Sequence, residues 1–456
     1  MASTYLTRTT GTPTLGTKCT VSAWVKISEV PGGGGSDRWI FGEYGNNSNH
    51  SYLYLRNSSE IGWYEADGSG TEASIITNRL CRDLNGWYHF MIVYDTTLST
   101  QADRFKMYIN GERQTSFSTN TNSLAQNYLP RINKASRTYY IGGTPSYQDK
   151  FDGIISHYHH VDGSALDPTV FGSTDALTGE WKINTNPTFT PGNNGFSILK
   201  DGNTITDQSA NSNNFSLGGG TLTKTEDCPS NIFATLNPLI PKVSSMSFSN
   251  GNNTITTSGS QWEGSVTTLA PTKGKWYYEA KYNSGSGIKL DIARETSDLR
   301  NMAVANQSYL AYHGNGYGYQ LNNSGTDYYC ADNSCTTWNS SANGNSTKIY
   351  MVAVDLDNGK MWIGANGTWA NKSGTANPVT GADPLHEFSA KLNGDPWLFS
   401  MSVEGGSGSH NLNFGNGYFG TTAVSSAGTN ASNLGIFEYD VPAGYTALST
   451  KGINSF

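Results

Sequence analysis

Apolar and polar residues alternate with a period of two in segment after segment of this chain. A half-buried β-strand requires that periodicity, and an amphipathic helix forbids it. Val21, Ala23, Val25 and Ile27 fall on one side of such a strand, with Thr20, Ser22, Trp24 and Lys26 on the other. Trp87–Val93 carries a second strand signal, and Phe105–Ile109 a third that ends at Asn110-Gly111, a dipeptide suited to a type I′ hairpin turn. Tyr139–Ile141 and Gly153–His157 continue the series. Further on, Trp276, Tyr278, Ala280 and Tyr282 alternate with Tyr277, Glu279 and Lys281. Ile349–Leu356 is a continuous apolar run, the pattern of a strand covered on both faces, and Asp357-Asn358-Gly359 turns it into Lys360–Ile363. Trp397, Phe399, Met401 and Val403 form another inward stripe. The one helix the pattern predicts is short, at Asp298–Gln307, with Asp298 as its cap.

Composition supports the same class. Charged residues make up 14% of the 456 positions, while Gly (52), Tyr (26) and Trp (11) are abundant. So aromatic a chain buries enough apolar surface to order itself, and the residues of helical bundles do not dominate. The expected class is all-β, with two antiparallel, jelly-roll-like β-sandwich domains at residues 1–180 and 263–456. Between them, at 181–262, strand signals thin out and Asn, Gly, Thr and Pro take over. Phe189, Phe196, Ile198, Leu199, Phe233 and Leu236 make that stretch too apolar for a solvated tether. It reads as an ordered connector packed on its neighbours.

The net charge of -7 is spread without long runs, so no basic face for nucleic acid is expected. No stretch approaches the ~20 apolar residues of a membrane-spanning helix. Met1–Gly11 lacks the basic and apolar regions of a secretory signal. Of the five cysteines, Cys330 and Cys335 are close enough to close a loop disulfide, but a chain without an export signal favours free thiols.

Taken in order, several segments resemble known families. Tyr5–Thr9, Val21–Ile27, Trp87–Tyr94, Phe105–Gly111 and Phe151–Phe171 resemble laminin-G-type, concanavalin-A-like sandwiches of structural proteins from tailed, marine-type bacteriophages. Asp227–Leu239 is similar to the connector of the same phage proteins. Gly274–Lys281, Val352–Gly367, Asn411–Gly415 and Val441–Leu448 resemble a SPRY domain as it occurs in phages, with Asn345–Lys348 replacing its usual glycine-acid turn. The resemblance implies a non-enzymatic virion structural protein, a tail fibre or a capsid or tail appendage. Such a protein is made in the host cytoplasm and exposed on the particle exterior. Its expected partners are other virion proteins, a host-surface glycan and further copies of itself, with no nucleic acid and no membrane insertion. The alternatives are a soluble carbohydrate-binding protein, a glycan depolymerase, and a scaffold contacting only other virion proteins.

Catalysis finds little footing. Glycoside hydrolysis generally needs two carboxylates facing across a bond, about 5–5.5 Å or 6.5–9.5 Å apart. Glu65 with Asp67 and Glu438 with Asp440 have the i, i+2 spacing but no third member, and Glu65 reads as part of a glycine-rich turn. His157 and His159 fall on one side of a strand, yet no ligand set completes them, with Asp162 the nearest acid. No nucleophile elbow is present, and Gly32–Gly35 and Gly405–Gly408 lack the ending of a phosphate loop. No catalytic residue, metal ligand or cofactor is therefore expected. A Ca²⁺ site of loop oxygens near Asp149 or Asp152, known in some laminin-G-type domains, has no sequence support of its own. What remains is binding by aromatic faces flanked by amides and hydroxyls. The candidates are Tyr312, Tyr317 and Tyr319 amid glycines, Trp369 at a hairpin end, and Trp338, whose polar neighbours predict loop exposure.

Overall fold

Strands form where the alternation predicts them, because each buries one set of side chains and pairs its backbone through its edges. The computed structural model describes residues 4–29, 37–68, 70–145, 150–200, 204–240, 245–259, 262–295, 316–322, 326–332, 334–338, 348–404 and 408–456. The helix expected at Asp298–Gln307 lies outside them. The described chain is all-β and antiparallel apart from one short parallel pairing and isolated bridges, and its one α-helix is the single turn Thr450–Ile453.

Two compact units divide the chain, Met1–Lys224 and Thr225–Phe456. The stretch 181–262 is therefore shared out, its first part folding with one unit and its remainder with the other. In the first unit an eight-stranded sheet runs in the order Phe117–Asn122, Thr71–Leu80, Glu60–Asp67, Asn49–Leu55, Arg38–Asn46, Thr138–Ile141, Tyr5–Thr9, Ser216–Gly219. A six-stranded sheet faces it, in the order Phe196–Ile198, Gly153–Asp162, Lys18–Ile27, Trp87–Asp95, Phe105–Ile109, Glu112–Arg113. Val25, Ile27, Phe41, Leu53, Trp63, Phe90 and Tyr158 fill the space between. Asn110 and Gly111 both take positive φ, 51° and 74°, as a type I′ turn demands.

The second unit repeats the plan. Its larger sheet centres on Lys275–Ser284, flanked by Ser409–Asn413 and Ile349–Asp355, and Lys360–Ala365 follows through the expected hairpin. The Asp355 carboxylate accepts the Asp357 and Asn358 N–H groups at 3.0 and 2.9 Å, which holds that turn. Tyr350, Val352 and Val354 enter the main core, while Met351 and Ala353 pack with Phe233, Trp362 and Phe437 on the other face. The apolar run at Ile349–Leu356 is thus covered on both sides. The smaller sheet runs Glu263–Val266, Trp397–Glu404, Gly287–Arg294, Gly316–Asn322, Asp327–Ala331, Ser334–Trp338.

The expectation of free thiols at Cys330 and Cys335 is corrected: they form a disulfide. The two residues are direct cross-strand partners in the hairpin, with Cα atoms 4.1 Å apart. Strand register places the thiols side by side, a proximity that the missing export signal does not bear on.

Candidate functional site

The five aromatics singled out in the sequence do not form one surface. Tyr317 and Tyr319 are 5% and 0% exposed, and Trp338 is 8% exposed, so the expected exposure of Trp338 is not found. All three are core residues of the second unit. Tyr317 stacks on Phe388 at 5.0 Å, Tyr319 packs beside Trp338 and His386, and the Tyr319 hydroxyl donates to the Met361 carbonyl at 3.1 Å. Trp338 closes its own strand with its ring on the inner face, and its indole N–H donates to the Asn371 carbonyl. Trp338 alone is buried in Ser334–Trp338, because its large ring packs beside Tyr319 while the smaller side chains before it stay exposed. Trp369 is half-buried against Tyr277 on the other sheet, and Tyr312 lies outside the described residues.

The carboxylate pairs have structural work. Glu65 is a strand residue with no exposure, which corrects its placement in a turn. It accepts hydrogen bonds from the Tyr94 hydroxyl (3.0 Å), the Tyr128 hydroxyl (2.9 Å) and the Arg131 backbone N–H (2.8 Å). Burial pushes its pKa up to about 7, against the pull of those donors. The Arg131 guanidinium, also buried, donates to both Glu43 oxygens at 2.7 and 3.0 Å and to Asp67 at 2.8 Å. Both members of the Glu65–Asp67 pair are therefore engaged, Glu65 inside the sandwich and Asp67 in ion pairs with Arg131 and Lys134 at its partly exposed margin. Glu438 and Asp440 accept the backbone N–H groups of Ser425 and Thr429 and brace loops.

The histidines are likewise packed. His157 and His159 are bonded to Ser156 and Ser197 hydroxyls, and a register shift falls between Ser156 and His159. Burial pushes the His159 pKa well below its ordinary value. Asp162 accepts from the Thr14 and Asn194 N–H groups and from the Asn133 amide. Among the described residues no group of three or more His, Cys, Asp and Glu is placed to hold a metal ion. Of the two Ca²⁺ candidates, Asp149 lies outside the described residues, and Asp152 has its pKa raised, chiefly by burial.

Two surfaces that the sequence reading missed have the geometry of binding sites. The first is the outer face of the eight-stranded sheet. Leu53, Leu55, Ile61 and Trp63 point into the core, so Tyr52, Tyr54 and Tyr64 point out. Tyr52 stacks flat on Trp39, with centroids 4.2 Å apart and planes 6° from parallel. Tyr54, His50 and Tyr64 continue the cluster within 6.0 Å of Tyr52, and Tyr44 lies 6.0 Å from His50. Tyr44, Tyr52 and Tyr64 are partly exposed. Gly62 gives Tyr54 its place, because a Cβ there would meet the ring at 2.2 Å. Alternating Tyr52 and Tyr54, out of phase with Leu53 and Leu55, was the signal available in the sequence.

The second surface is an open groove of about 600 Å³ in the second unit, on the outer face of its smaller sheet. Ser286, Gln320, Asn322, Tyr328, Cys335 and Glu404 line it. Gln320 and Asn322 share a strand with Tyr317 and Tyr319 but take the opposite parity, and Tyr328 pairs with Gln320 across the sheet. Tyr317, Tyr319 and Trp338 lie on strands that border the groove, with their rings on the inner face.

Residues 2–169 match the family Laminin_G_3, described as the concanavalin A-like lectin/glucanases superfamily. No curated protein matches the chain. The chain is similar to solved structures at low identity. The TRIM65 PSpry domain is 13% identical with a TM-score of 0.28, over 40% of this chain and 91% of that one. A heptameric SAP-like pentraxin from Limulus polyphemus is 17% identical with a TM-score of 0.26, over 36% and 71%. A putative carbohydrate binding protein from Bacteroides ovatus is 13% identical with a TM-score of 0.32, over 48% and 58%. With TM-scores this low, none of them bears on function. The described chain is all-β in two compact units, and the match to a concanavalin A-like family is confined to residues 2–169 of the first. Among its described residues no helix is long and apolar enough to cross a membrane.

Proposed function

We propose that this chain is a non-enzymatic carbohydrate-binding protein that engages glycans through the aromatic face of its first sandwich. One observation carries the reading: the rings of Tyr44, Tyr52 and Tyr64, backed by Trp39, His50 and Tyr54, form a partly exposed platform within the residues that match the lectin/glucanase superfamily. Sugar rings present faces of C–H bonds that pack on aromatic rings, while their hydroxyls reach polar groups at the margin. Here the margin supplies the Tyr44 hydroxyl, bonded to Asn47 at 2.8 Å, and the Tyr64 hydroxyl, bonded to Thr71 at 2.8 Å. Binding of the full chain to a panel of immobilised polysaccharides tests the reading. The double substitution Tyr52→Ala/Tyr64→Ala is expected to weaken binding about tenfold. Unchanged binding in that variant overturns it.

The narrower reading is a virion structural protein of a tailed phage, a fibre or an appendage, with host-surface glycans as its ligand. The ordered set of phage-like segments from Tyr5–Thr9 to Val441–Leu448 supports it. Gold-labelled antibody imaging of purified particles is the test: label at a tail tip or capsid vertex is the expected result. Unlabelled particles, with the protein left in the soluble fraction, leave the free lectin as the reading.

A further inference from the structure

We propose that the second unit carries a ligand site of its own: its groove binds a neutral, polyhydroxylated ligand, a short oligosaccharide. The inference rests on the glycan-binding reading and adds a second, independent point of attachment to it. The volume, about 600 Å³, falls in the ~300–1,000 Å³ range of small-molecule sites.

Hydrogen-bond accounting defines what the groove offers. The Asn322 amide is held in place, since its Nδ2 donates to the Thr326 carbonyl at 2.7 Å and its Oδ1 accepts from Gln320 Nε2 at 3.2 Å. That contact orients the Gln320 amide and leaves its carbonyl oxygen and second N–H for a ligand. The Glu404 carboxylate accepts from Trp262 and feels the nearby Lys289 ammonium, which lies over the Trp262 ring at 4.1 Å. One anchored carboxylate thus keeps lone pairs for ligand hydroxyls. Among the described residues the Tyr328 and Ser286 hydroxyls make no hydrogen bond, and Tyr328 adds a partly exposed ring.

The ligand class follows from this set. An amide, a carboxylate and two hydroxyls pair with adjacent sugar hydroxyls as donor and acceptor together, and the Tyr328 ring suits a sugar's C–H face. An anionic ligand finds no Lys or Arg in the lining among the described residues, and the nearby Lys289 is 2% exposed. A cationic ligand finds the Glu404 charge already opposed by Lys289. The Cys330–Cys335 disulfide fixes the hairpin that carries Tyr328, two residues before Cys330 on the same face, so the bond holds one wall in place.

Titration calorimetry of the full chain with a neutral oligosaccharide selected on the polysaccharide panel tests the proposal. Wild type is expected to bind two ligands per chain. Tyr52→Ala/Tyr64→Ala is expected to leave one, and Gln320→Ala/Tyr328→Ala to remove the other, each variant keeping its wild-type melting profile. Reductant is expected to weaken the groove's binding about tenfold without touching the first unit's, and this arm needs no substitution. If the first-unit variant loses all binding, or if neither the groove substitutions nor reductant change anything, the groove proposal is overturned while the reading of the chain stands. Retention of all binding by the first-unit variant, with loss in the groove variant, overturns the aromatic face and keeps the groove. A wild-type chain that binds no sugar on the panel overturns both.

Discussion

Each sandwich hides a glutamate, Glu65 in the first and Glu279 in the second, and burial pushes both carboxyls up to about 7. Their partners differ in kind. Glu65 is held mainly by hydroxyls, those of Tyr94 and Tyr128, with a single backbone N–H from Arg131. Glu279 receives the backbone N–H groups of Glu438 and Tyr439, one on each oxygen at 2.9 Å, together with the Tyr277 hydroxyl and the Asn413 amide. A hydroxyl can reverse its direction, and a backbone N–H cannot. The first site therefore tolerates a donor where the second admits only acceptors. Cations set them apart as well: Arg131 joins Glu43 and Asp67 beside Glu65, whereas the neighbours that bond Glu279 are neutral groups.

The largest expected effect breaks the first site's cation. Arg131→Met leaves Glu43 buried without its bidentate partner and is expected to destabilise the first unit by about 3–5 kcal/mol. Calorimetry resolving two unfolding transitions checks this, since only one should move. Next comes Glu279→Gln, which turns an amide N–H against a backbone N–H. A cost of about 1–3 kcal/mol to the second transition is expected at pH 5, shrinking towards pH 8 as the wild type loses its own proton-linked stability. A change below measurement would remove the proposed contrast between the sites.

The pH dependence sharpens it further. A carboxyl raised from 4.5 to about 7 binds its proton more tightly folded than unfolded. Its stabilising contribution is full below pH 4.5 and is lost as the pH climbs through 7. Both transitions should therefore fall over that window, and each Gln variant should flatten the slope of its own unit; denaturant melts at a series of pH values would show it. The smallest effect belongs to Glu65→Gln. Its amide oxygen can face Arg131 and Tyr128 while its N–H₂ donates to the Tyr94 oxygen, which already accepts from Trp63. A change within about 1 kcal/mol at pH 5, shifting towards stabilisation at pH 8, is expected.

Much of the fold was legible because strand signals are local. Phe105–Ile109 with Asn110-Gly111, and the apolar run at Ile349–Leu356 with its Asp-Asn-Gly turn, appear in the structure as the pattern implies. The sites were legible only in part. Tyr317, Tyr319 and Trp338 sit on strands that do bound the groove, yet their own parity turns them into the core. The aromatic platform was overlooked because its rings come from three neighbouring strands, and Tyr44, Tyr52 and Tyr64 meet only through register.

By itself the sequence determined an all-β chain, the hairpin turns at Asn110-Gly111 and Asp357-Asn358-Gly359, and its aromatic, weakly charged character. Those properties follow from residue type and from spacing of a few positions along the chain. Tertiary structure alone decided which face of each strand is inside, that Glu65 and Glu279 are buried, and that Cys330 meets Cys335. The physical reason is that a strand's two faces are chemically complete only when another layer packs on one of them. Shifting that choice by a single residue exchanges Tyr319 for Gln320, and with them core for groove.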